Sequence, residues 1–545
     1  MNLSDVLQRR EAIIYLVSPE ESRVEDEILR WCGSCNPPRP LYRWTCTRGM
    51  ERLLGGVVQP VTISGGEDAR GQAQAPLVGV LKYIVHACQE DGIFLLKDVH
   101  QHFGAATAHS PAATMTIRAF RDAFYELRES GQAKKLVLLA PEPAIPQDLE
   151  KELRVEDFPL PDHESISEVV TSYLRRAETI HQKDATFVYE VADRTNLTTA
   201  LVNAALGLTA VELQYIFENM LYVEHRLTDQ APARVIREKQ QIIRKSGALE
   251  FMPPEQLGGI RVGGLEVLLR WLRLRKRVFD EAERARKEYG IDRIPRGLLL
   301  VGVSGCGKSL TCKSIAKSWG YPLLRMDTGA IFDKWVGSSE ERIRRALKVA
   351  ESVAPCILWL DEIEKGFSVT TGGDGGTSSR VLATFLVWLQ EKTAPVFVAA
   401  TANDVSLLPP ELLRPGRFDN RFFVGCPGDG SRREIFEIHL AARRLDPNDF
   451  DLDELVRSSR GFTGAEIEQV VLDSVYDAFY EDRRANRKDL TRNVARTRPM
   501  IRSLGTQMRQ VWELLDQGRM ELASEDALSR QEVQEIIGRP QGPAL

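Results

Sequence analysis

The sequence lacks any long hydrophobic run. The apolar segment near its amino terminus, AIIYLV, has six residues between Glu11 and Ser18, so it is too short and too late for an export signal. No window approaches the ~18 uninterrupted apolar residues that a membrane helix needs. We therefore expect a cytoplasmic protein that does not cross a membrane.

The chain is also poor in cysteine and in net charge. It has eight cysteines in 545 residues, and without an export signal we expect these thiols to stay reduced. The net charge of −5 at pH 7 argues against a protein that is basic all over. The motif HExxH is absent, which excludes a fused metalloprotease of that type. What is present is an ordinary globular composition, and the length predicts three or four domains.

One segment carries a pattern that binds phosphate. Residues 298–309, LLLVGVSGCGKS, place GxxxxGKS between a strand-like apolar run and a helix-like segment. Glycines let backbone N–H groups curl around phosphate oxygens, and the following helix adds its positive dipole end. Lys308 would reach the β- and γ-phosphates, and the Ser309 hydroxyl would ligate Mg²⁺. The predicted phosphate-loop residues are Gly302, Val303, Ser304, Gly305, Cys306, Gly307, Lys308, Ser309 and Leu310.

Two further apolar runs end in polar residues that suit the same chemistry. CILWLDE ends in Asp361 and Glu362, and VFVAATAN ends in Asn403. Asp361 would hold the Mg²⁺ shell, and Glu362 would orient and deprotonate the attacking water. Asn403 would hydrogen-bond that water or the γ-phosphate. A helix-capping carboxylate and a turn-forming asparagine are the alternative interpretations.

Two arginines flank a Pro-Gly turn in the segment LLRPGRFD. Such a turn projects Arg414 and Arg417 from the surface, where the nucleotide of a neighbouring subunit could receive them. An arginine supplied in this way is worth ~10³–10⁵ in rate. This interpretation requires a homo-oligomer, whereas the alternative is a pair of solvated surface arginines.

Taken together, these motifs resemble the AAA+ ATPases, in the branch that carries a second region of homology. The resemblance covers about residues 250–480. The matching segments are VGGL, the phosphate loop, the carboxylate pair, Asn403, GRFD and GFTGAEIEQ. The resemblance implies an α/β fold, the P-loop NTPase αβα sandwich with a C-terminal helical lid. It also implies ATP and Mg²⁺ as cofactors and assembly into a hexameric ring.

The same resemblance assigns residues on both sides of the nucleotide. Gly263 and Gly264 would pack against the adenine, and Gly464 and Ala465 would cover the nucleotide from the lid. More narrowly, the chain resembles the plastid- and cyanobacterial-type AAA family, most of whose members have no assigned function. The segments IREKQQIIRKSGALE, GGLEVLLRWLRLR and CILWLDEIEKGF carry this closer match.

A tryptophan stands in the polar segment FDKWVGSSE. By the family resemblance this loop faces the pore of the ring, so Lys334, Trp335, Val336 and Gly337 would contact a substrate. A flat ring can insert between the side chains of any extended polypeptide and gain ~0.5–1.5 kcal/mol from aromatic contacts. The alternative is that Trp335 packs against its own domain or a neighbour.

The amino-terminal part of the chain repeats the alternation of strand-like and helix-like segments. IFLLKDVH parallels CILWLDEI and aligns Asp98 with Asp361, while GLTAVEL parallels GFTGAEI. Where a phosphate loop should follow the first strand, the chain has PEE, with Glu20 and Glu21, and carboxylates there would repel phosphate. We therefore expect a degenerate ATPase-like α/β domain without a phosphate loop. Chance alternation of strands and helices is the alternative.

We expect the chain to divide into five parts. They are a degenerate AAA-like domain (1–225), a basic linker (226–255), a large α/β ATPase domain (256–430), a helical lid (431–530) and a disordered tail (531–545).

One stretch of the predicted lid is strongly basic. Residues 483–502 hold eight Lys/Arg and one Asp but no aromatic residue. A solvated lid face or a subunit contact is the favoured interpretation. Nucleic-acid binding is less favoured, because there are no side chains on which bases could stack.

The leading hypothesis is an ATP-hydrolysing ring that remodels or threads a protein substrate through its pore. One alternative is a nucleotide-switched scaffold that threads nothing, and another is a nucleic-acid motor. The sequence does not identify the protein partner.

Overall fold

The computed structural model describes residues 3–63, 76–103, 111–131, 133–141, 145–245, 249–326, 338–367, 375–503 and 505–538. The chain forms two compact units, Met1–Val235 and Ile236–Leu545. We call them the amino-terminal unit and the carboxyl-terminal unit. The finer boundaries predicted from the sequence stay predictions.

The strands are numbered in chain order. They are β1 Ile13–Val17, β2 Leu41–Thr45, β3 Gly49–Leu54, β4 Val57–Val61, β5 Gly92–Lys97, β6 Lys134–Ala140, β7 Arg154–Asp157, β8 Val188–Glu190, β9 Arg226–Thr228, β10 Leu249–Met252, β11 Gly297–Gly302, β12 Leu323–Met326, β13 Cys356–Leu360, β14 Val396–Ala402, β15 Asn420–Val424 and β16 Glu521–Leu522.

The α-helices of the described residues are numbered in the same way. They are α1 Leu3–Gln8, α2 Glu21–Ser34, α3 Leu77–Lys82, α4 Pro111–Glu129, α5 His163–Lys183, α6 Arg194–Ala205, α7 Ala210–Glu218, α8 Ala231–Lys245, α9 Glu266–Asp280, α10 Ala282–Tyr289, α11 Lys308–Trp319, α12 Ser338–Ser352, α13 Ile363–Phe367, α14 Gly375–Glu391, α15 Asp429–Ala442, α16 Leu452–Ser458, α17 Gly464–Tyr480, α18 Arg487–Arg496, α19 Gly505–Asp516 and α20 Arg530–Gly538.

The carboxyl-terminal unit is built on a sheet of order β10-β12-β13-β14-β11-β15-β16. The strands from β12 to β16 run parallel, and β10 is antiparallel to β12. The apolar run LLLV forms β11 because both faces of the sheet are covered. Leu299 and Val301 belong to one apolar core, and Leu298 and Leu300 belong to another. The predicted α/β fold with a parallel sheet is confirmed.

The parallel strands end at a common edge of the sheet, so the predicted site residues at these strand ends lie close together. β11 leads into the phosphate loop and α11, β13 ends one residue before Asp361, and β14 ends one residue before Asn403. Since β13 and β11 both pair with β14, these three strand ends are neighbours. Ligand sites of open α/β sheets lie at this edge.

Four helices, α15 to α18, follow the sheet in the carboxyl-terminal unit. They pack around an apolar core that includes Phe436, Leu440, Ile467 and Leu490. Helix α17 begins with a capping box, in which Thr463 and Glu466 each bond the backbone N–H of the other. This arrangement satisfies two of the N–H groups that a helix start leaves unpaired.

The end of the chain returns to the sheet. β16 pairs with β15, and Trp512 of α19 packs edge-on against Phe423, with ring centroids 6.0 Å apart. Val533 and Ile536 of α20 are buried in the same core. The expected disordered tail is therefore helical as far as Gly538. Val533 and Ile536 are three residues apart, which is a spacing typical of a helix. In so short a segment this spacing did not suffice to predict a helix from the sequence.

The five parallel strands of the amino-terminal unit have the same order as β12-β13-β14-β11-β15 of the carboxyl-terminal unit, and the strands at the sheet edges differ. The amino-terminal sheet reads β4-β3-β2-β5-β6-β1-β7, with β2, β5, β6, β1 and β7 parallel. When these five strands are numbered along the chain, they stand in the order 2-3-4-1-5 in each sheet. Helix α7 also begins with a capping box, made by Thr209 and Glu212.

The registers of the two sheets agree as well. Gly92 of β5 pairs with Lys134 of β6, and Cys356 of β13 pairs with Val396 of β14. Each pair joins the first residues of its two strands. Counting from these pairs therefore gives a residue-by-residue correspondence between the units.

This correspondence corrects the predicted alignment of Asp98 with Asp361. Lys97 stands at the position of Asp361, and Asp98 stands at the position of Glu362. Asp98 and Glu362 both have a left-handed backbone, with φ of 58° and 49°, which few non-glycine residues adopt. The sequence alignment was shifted by one residue because it matched one aspartate with the other. The apolar runs before them contain no residue that indicates the strand register.

Within the described residues, no helix combines the length and the apolar composition needed to span a lipid bilayer. The cytoplasmic location stays a prediction.

Candidate functional site

A cavity of about 340 Å³ lies at the carboxyl edge of the sheet in the carboxyl-terminal unit. Most of the predicted nucleotide-site residues line it. They are Gly263, Ser304, Gly305, Cys306, Gly307, Lys308, Ser309, Leu310, Asp361, Glu362, Asn403, Gly464 and Ala465.

Lys308 closes the phosphate loop on itself. Its Nζ donates to the carbonyl oxygens of Gly302 at 2.8 Å and Val303 at 2.9 Å, and the residue is 6% exposed. Burial lowers the pKa of Lys308, and the neighbouring thiol and carboxylates oppose this shift. A buried ammonium held only by carbonyl oxygens is well placed to exchange them for anionic phosphate oxygens.

The loop has the backbone that its glycines allow. Gly305 has a left-handed φ of 80°, and a Cβ there would come within 2.9 Å of the Ala465 side chain. The same two residues are joined by a hydrogen bond, because the Ala465 N–H donates to the Gly305 carbonyl at 3.0 Å. The start of α17 therefore lies directly on the phosphate loop.

Asp361 and Ser309 provide a fitting pair of oxygen ligands for Mg²⁺. The Ser309 hydroxyl lies 3.3 Å from Asp361 Oδ1, and the Thr401 hydroxyl donates to the same oxygen at 2.7 Å. Hydroxyl and carboxylate oxygens are what a hard cation takes. Their separation lets one small cation contact both, so the residues present fit the predicted metal.

Glu362 is held from three sides. Asn403 Nδ2 donates to Glu362 Oε1 at 2.9 Å, the Glu362 N–H donates to Thr401 Oγ1 at 3.1 Å, and Lys365 Nζ lies 2.5 Å from Glu362 Oε2. The strands β13 and β14 thus fix the carboxylate beside the phosphate loop. Asn403, which was expected to bond the attacking water or the γ-phosphate, bonds Glu362 here, and the catalytic roles of both residues stay predictions.

Glu364 stands behind this pair as a buried support. It is 3% exposed, and its Oε1 accepts the Asn403 backbone N–H at 2.9 Å. Burial raises the pKa of Glu364, while the hydrogen bond from Asn403 opposes the shift. Its contact is with the backbone of Asn403, so it positions that residue.

Arg325 of β12 is a neighbour of the metal carboxylate that the sequence did not indicate. Its guanidinium lies 3.3 Å from Asp361 Oδ2 and 3.7 Å from Glu250 of β10. The same group lies 5.0 Å from the centre of the Trp359 ring. The positively charged guanidinium of Arg325 is thus held against the Asp361 carboxylate, which would bind Mg²⁺.

The far wall of the cavity comes from helices. His439 lies 3.2 Å from Arg443 and 3.7 Å from Glu468, and burial lowers its pKa. The lining residues that the sequence did not reveal are Arg261, Thr401, Ile435, Ile438, His439 and Glu468. Ile435, Ile438 and His439 recur at helical spacing, which is the one signal that could have found them.

Three predicted nucleotide contacts do not line this cavity. Gly302 and Val303 lie behind the loop and carry the carbonyls that hold Lys308. The Gly264 N–H donates to Glu434 at 2.8 Å. Gly264 has a φ of 71°, and a Cβ there would come within 2.5 Å of the Ser431 hydroxyl, so glycine permits a close approach between the chain and α15.

The two predicted arginine fingers also lie outside the cavity of their own chain. The Arg414 side chain is 65% exposed, and its nearest acid, Glu411, is 3.9 Å away. Arg417 turns the other way, since its Nη1 donates to the Leu386 carbonyl at 3.2 Å. The predicted pore residues Lys334, Trp335, Val336 and Gly337 fall outside the described residues.

In the basic stretch 483–502, three of the eight Lys/Arg form ion pairs with acids in the part of the chain that the structure describes. Arg483 pairs with Asp489 at 2.5 Å, Arg487 with Asp451 at 2.7 Å, and Arg492 with Asp477 at 3.0 Å. Charges that are already paired have less to gain from phosphate groups. The favoured interpretation of this stretch, a solvated lid face or a subunit contact, stays a prediction.

Comparison with known proteins gives three family matches. Residues 298–426 match the ATPase family associated with various cellular activities (AAA). Residues 1–158 match the SpoVK-like AAA ATPase N-terminal domain, and residues 164–246 match the SpoVK-like AAA ATPase second domain.

Relatives match over nearly the whole chain. The uncharacterized AAA domain-containing protein ycf46 of Guillardia theta is 34% identical over 525 residues, which is 95% of both chains. The protein of the same name from Trieres chinensis is 33% identical over 529 residues, 96% of this chain and 98% of that one.

Two other relatives match over a smaller part. A cell division cycle protein 48 homolog of Archaeoglobus fulgidus is 36% identical over 179 residues, 32% of this chain and 24% of that protein. ATP-dependent zinc metalloprotease FtsH 1 of Sphaerobacter thermophilus is 35% identical over 210 residues, 37% of this chain and 32% of its own. The predicted resemblance is confirmed: the chain belongs to the AAA ATPases, in the ycf46 family of AAA domain-containing proteins.

Proposed function

We propose that this protein is a Mg²⁺-dependent ATPase that forms a ring and remodels or threads a protein substrate. One observation supports ATP hydrolysis above the others. A continuous set of hydrogen bonds joins Ser309, Asp361, Thr401, Glu362 and Asn403 beside the phosphate loop. A binding site without hydrolysis would not need the glutamate and the asparagine to be fixed to each other.

In the proposed reaction, Lys308 exchanges the loop carbonyls for the β- and γ-phosphate oxygens. Mg²⁺ bound by Ser309 and Asp361 would neutralise the charge of the phosphates. Glu362 accepts a proton from the attacking water, and Asn403 holds Glu362 and that water in line. Gly263 on one side and Gly464 and Ala465 on the other enclose the nucleotide.

In the proposed ring, each protomer supplies an arginine to the nucleotide site of its neighbour. Arg414 is exposed and outside its own chain's cavity, a placement that supports its use by the neighbouring protomer. Arg417 would act with it after releasing the Leu386 carbonyl. A homo-hexamer is the assembly that the family resemblance implies.

Substrate contact would fall to Lys334, Trp335, Val336 and Gly337. The aromatic ring followed by a small residue supports a grip on an extended polypeptide without sequence preference. Nucleic acid is not favoured as the substrate, because the basic stretch 483–502 has no aromatic side chain on which bases could stack.

The test is the Glu362→Gln variant, which keeps the size of the side chain and removes the base. We expect it to bind ATP, to lose at least about 100-fold in turnover, and to assemble with ATP into a hexamer measured by light scattering. Unchanged turnover would contradict the assignment of the base. A monomer that turns over at full speed would contradict the ring.

The Trp335→Ala variant tests the second half of the proposal. We expect normal basal hydrolysis and the loss of stimulation by an unfolded model polypeptide. Slow turnover that is indifferent to Trp335 would favour a nucleotide-switched scaffold. Unaltered remodelling of substrate would exclude the proposed pore contact.

A further inference from the structure

The amino-terminal unit has the strand order and register of the ATPase sheet but a different connection after its first strand. The register pairs Ile14 with Arg154 in one sheet and Leu298 with Asn420 in the other, so Val17 corresponds to Val301. Three residues, SPE, then precede α2, whereas six residues, GVSGCG, precede α11. A loop of three residues is too short to surround a phosphate group with backbone N–H donors.

The residues next to this connection also carry charges opposite to those of their counterparts in the carboxyl-terminal unit. Helix α2 begins at Glu21, where α11 begins at Lys308. The sheet register places Lys97 where the carboxyl-terminal unit has Asp361. Lys97 Nζ lies 3.3 Å from Glu21 and 2.8 Å from Glu25, so the two exchanged charges contact each other. An ion pair inside the chain thus joins the strand end and the helix start that carry Asp361 and Lys308 in the carboxyl-terminal unit.

Glu20, the last residue of this short connection, reaches across to a distant helix. It is 1% exposed, and its Oε1 accepts the backbone N–H of Ala210 at 2.8 Å. Ala210 is the first residue of α7 and follows the capping residue Thr209. Its N–H is one of the donors that a helix start leaves unpaired, and the helix dipole favours an anion there.

Local contacts fix the Glu20 side chain in this direction. The Ser18 hydroxyl accepts the Glu20 N–H at 3.1 Å, and Arg23 Nε lies 3.3 Å from Glu20 Oε2. Arg23 is in turn packed over the Phe158 ring at 4.4 Å. Ser18 therefore holds the Glu20 backbone, and Arg23 lies against the Glu20 carboxylate.

The carboxyl-terminal unit joins the same two elements in a weaker way. There the Ala465 N–H of α17 meets the Gly305 carbonyl of the phosphate loop at 3.0 Å. That contact is between neutral groups and lies at the rim of an open cavity. In the amino-terminal unit a buried carboxylate makes the connection, and hydrogen bonds to charged groups are the stronger ones.

We propose that Glu20 is an internal anion that replaces the phosphate of a nucleotide in the amino-terminal unit. It links the connection after β1 to the start of α7 at all times, so this unit takes no nucleotide and keeps one closed arrangement. The carboxyl-terminal unit would alone respond to nucleotide. The proposal rests on the strand registers and the Glu20 contact, and it does not depend on the ATPase activity proposed above.

Hydrogen exchange of the full-length chain tests this link. In Glu20→Ala we expect exchange in peptides covering 207–213 to accelerate by about 10-fold or more, because the hydrogen bond to a charged acceptor is lost. The matched control is Asp26→Ala, which removes an exposed carboxylate from α2, the helix that follows Glu20, and should leave those peptides unchanged. Unaltered protection in folded Glu20→Ala would overturn the proposal.

A second measurement needs no change at Glu20. In the Lys308→Ala chain we expect no binding of a fluorescent ADP analogue with Mg²⁺ and no change in exchange at 207–213. Nucleotide that binds this variant and protects 207–213 would overturn the proposal. Residual nucleotide binding that protects only 463–466 would support the proposal for Glu20. The same result would contradict the role proposed for Lys308.

Discussion

Asn403 donates a 2.9 Å hydrogen bond from its side chain to Glu362 Oε1, across the ends of two adjacent parallel strands. The bond joins residues 41 positions apart in the chain. It fixes the carboxylate while Lys365 neutralises its other oxygen at 2.5 Å. The orientation of Glu362 therefore depends on Asn403 of a distant segment as well as on Lys365 of its own segment.

The first prediction is that Asn403→Ala slows hydrolysis without weakening nucleotide binding. We expect kcat to fall by about 10-fold or more, because a misplaced base loses part of the ~10²–10⁴-fold that acid–base catalysis supplies. Steady-state kinetics and binding of a fluorescent nucleotide would measure the two effects separately. Asn448→Ala is the control, since the Asn448 side chain donates to Asp446 at 2.9 Å and does not line the described cavity. A loss of nucleotide affinity equal to the loss of kcat would contradict this role.

The second prediction concerns Thr401, whose hydroxyl bridges the two acidic residues. It donates to Asp361 at 2.7 Å and accepts the Glu362 N–H at 3.1 Å, and the residue is 1% exposed. Thr401→Val keeps the shape but removes both of these hydrogen bonds, so we expect the free energy of unfolding to fall by about 1–3 kcal/mol. Thr401→Ser should retain most of it. Equal stability of the two variants in urea titrations would argue that the hydroxyl is not used.

The third prediction concerns Arg325 and the metal requirement. Because its guanidinium lies 3.3 Å from Asp361, it competes with Mg²⁺ for that carboxylate. We expect Arg325→Met to lower the Mg²⁺ concentration for half-maximal nucleotide binding by about 3- to 10-fold, a modest effect for a partly exposed charge.

Arg325→Lys should behave more like the unaltered chain, because it keeps the positive charge. Arg344→Met is a second control, since Arg344 is an exposed partner of Glu340 at 2.7 Å on another helix. A rise in the Mg²⁺ requirement of Arg325→Met would show that the arginine assists the metal instead of opposing it.

The fourth prediction is a pH dependence that arises from Lys239. This lysine is 3% exposed, and burial lowers its pKa to about 8 from 10.5. The unfolded chain therefore binds this proton more tightly than the folded one, and the free energy of unfolding should rise with pH between about 8 and 10. The rise should be about 2–3 kcal/mol, since one pKa unit corresponds to about 1.4 kcal/mol.

Urea titrations at pH 7.5, 8.5 and 9.5 measure this effect as a difference between variants. Lys239→Met should lack the part of the rise that Lys239 contributes. Lys317→Met, at an exposed position, should keep it. Parallel pH profiles for the unaltered chain and Lys239→Met would contradict the prediction.

Much of the site could be predicted because its residues stand in short motifs at strand ends. The phosphate loop holds its glycines, Lys308 and Ser309 within eight consecutive residues, 302–309. Asp361, Glu362 and Asn403 each end an apolar run, and a parallel sheet brings such ends to one edge. Local spacing and a general rule of sheet geometry were sufficient there.

Arg325 and Thr401 could not be found in this way. Each contacts Asp361 from a different strand, at separations of 36 and 40 residues, and neither belongs to a motif. Alternate residues of a buried strand look alike in the sequence. Which one turns toward the carboxylate depends on the pairing of three strands.

The sequence by itself identified one phosphate-loop motif in this chain, because a contiguous segment supplies the backbone, the cation and the hydroxyl together. It also determined that the first part has no such loop. Only the tertiary structure decided that Lys97, and not Asp98, stands where Asp361 does, and that Glu20 reaches the start of α7. The reason is physical: a strand register is set by hydrogen bonds between distant segments, and a shift of one residue changes which charge faces the site.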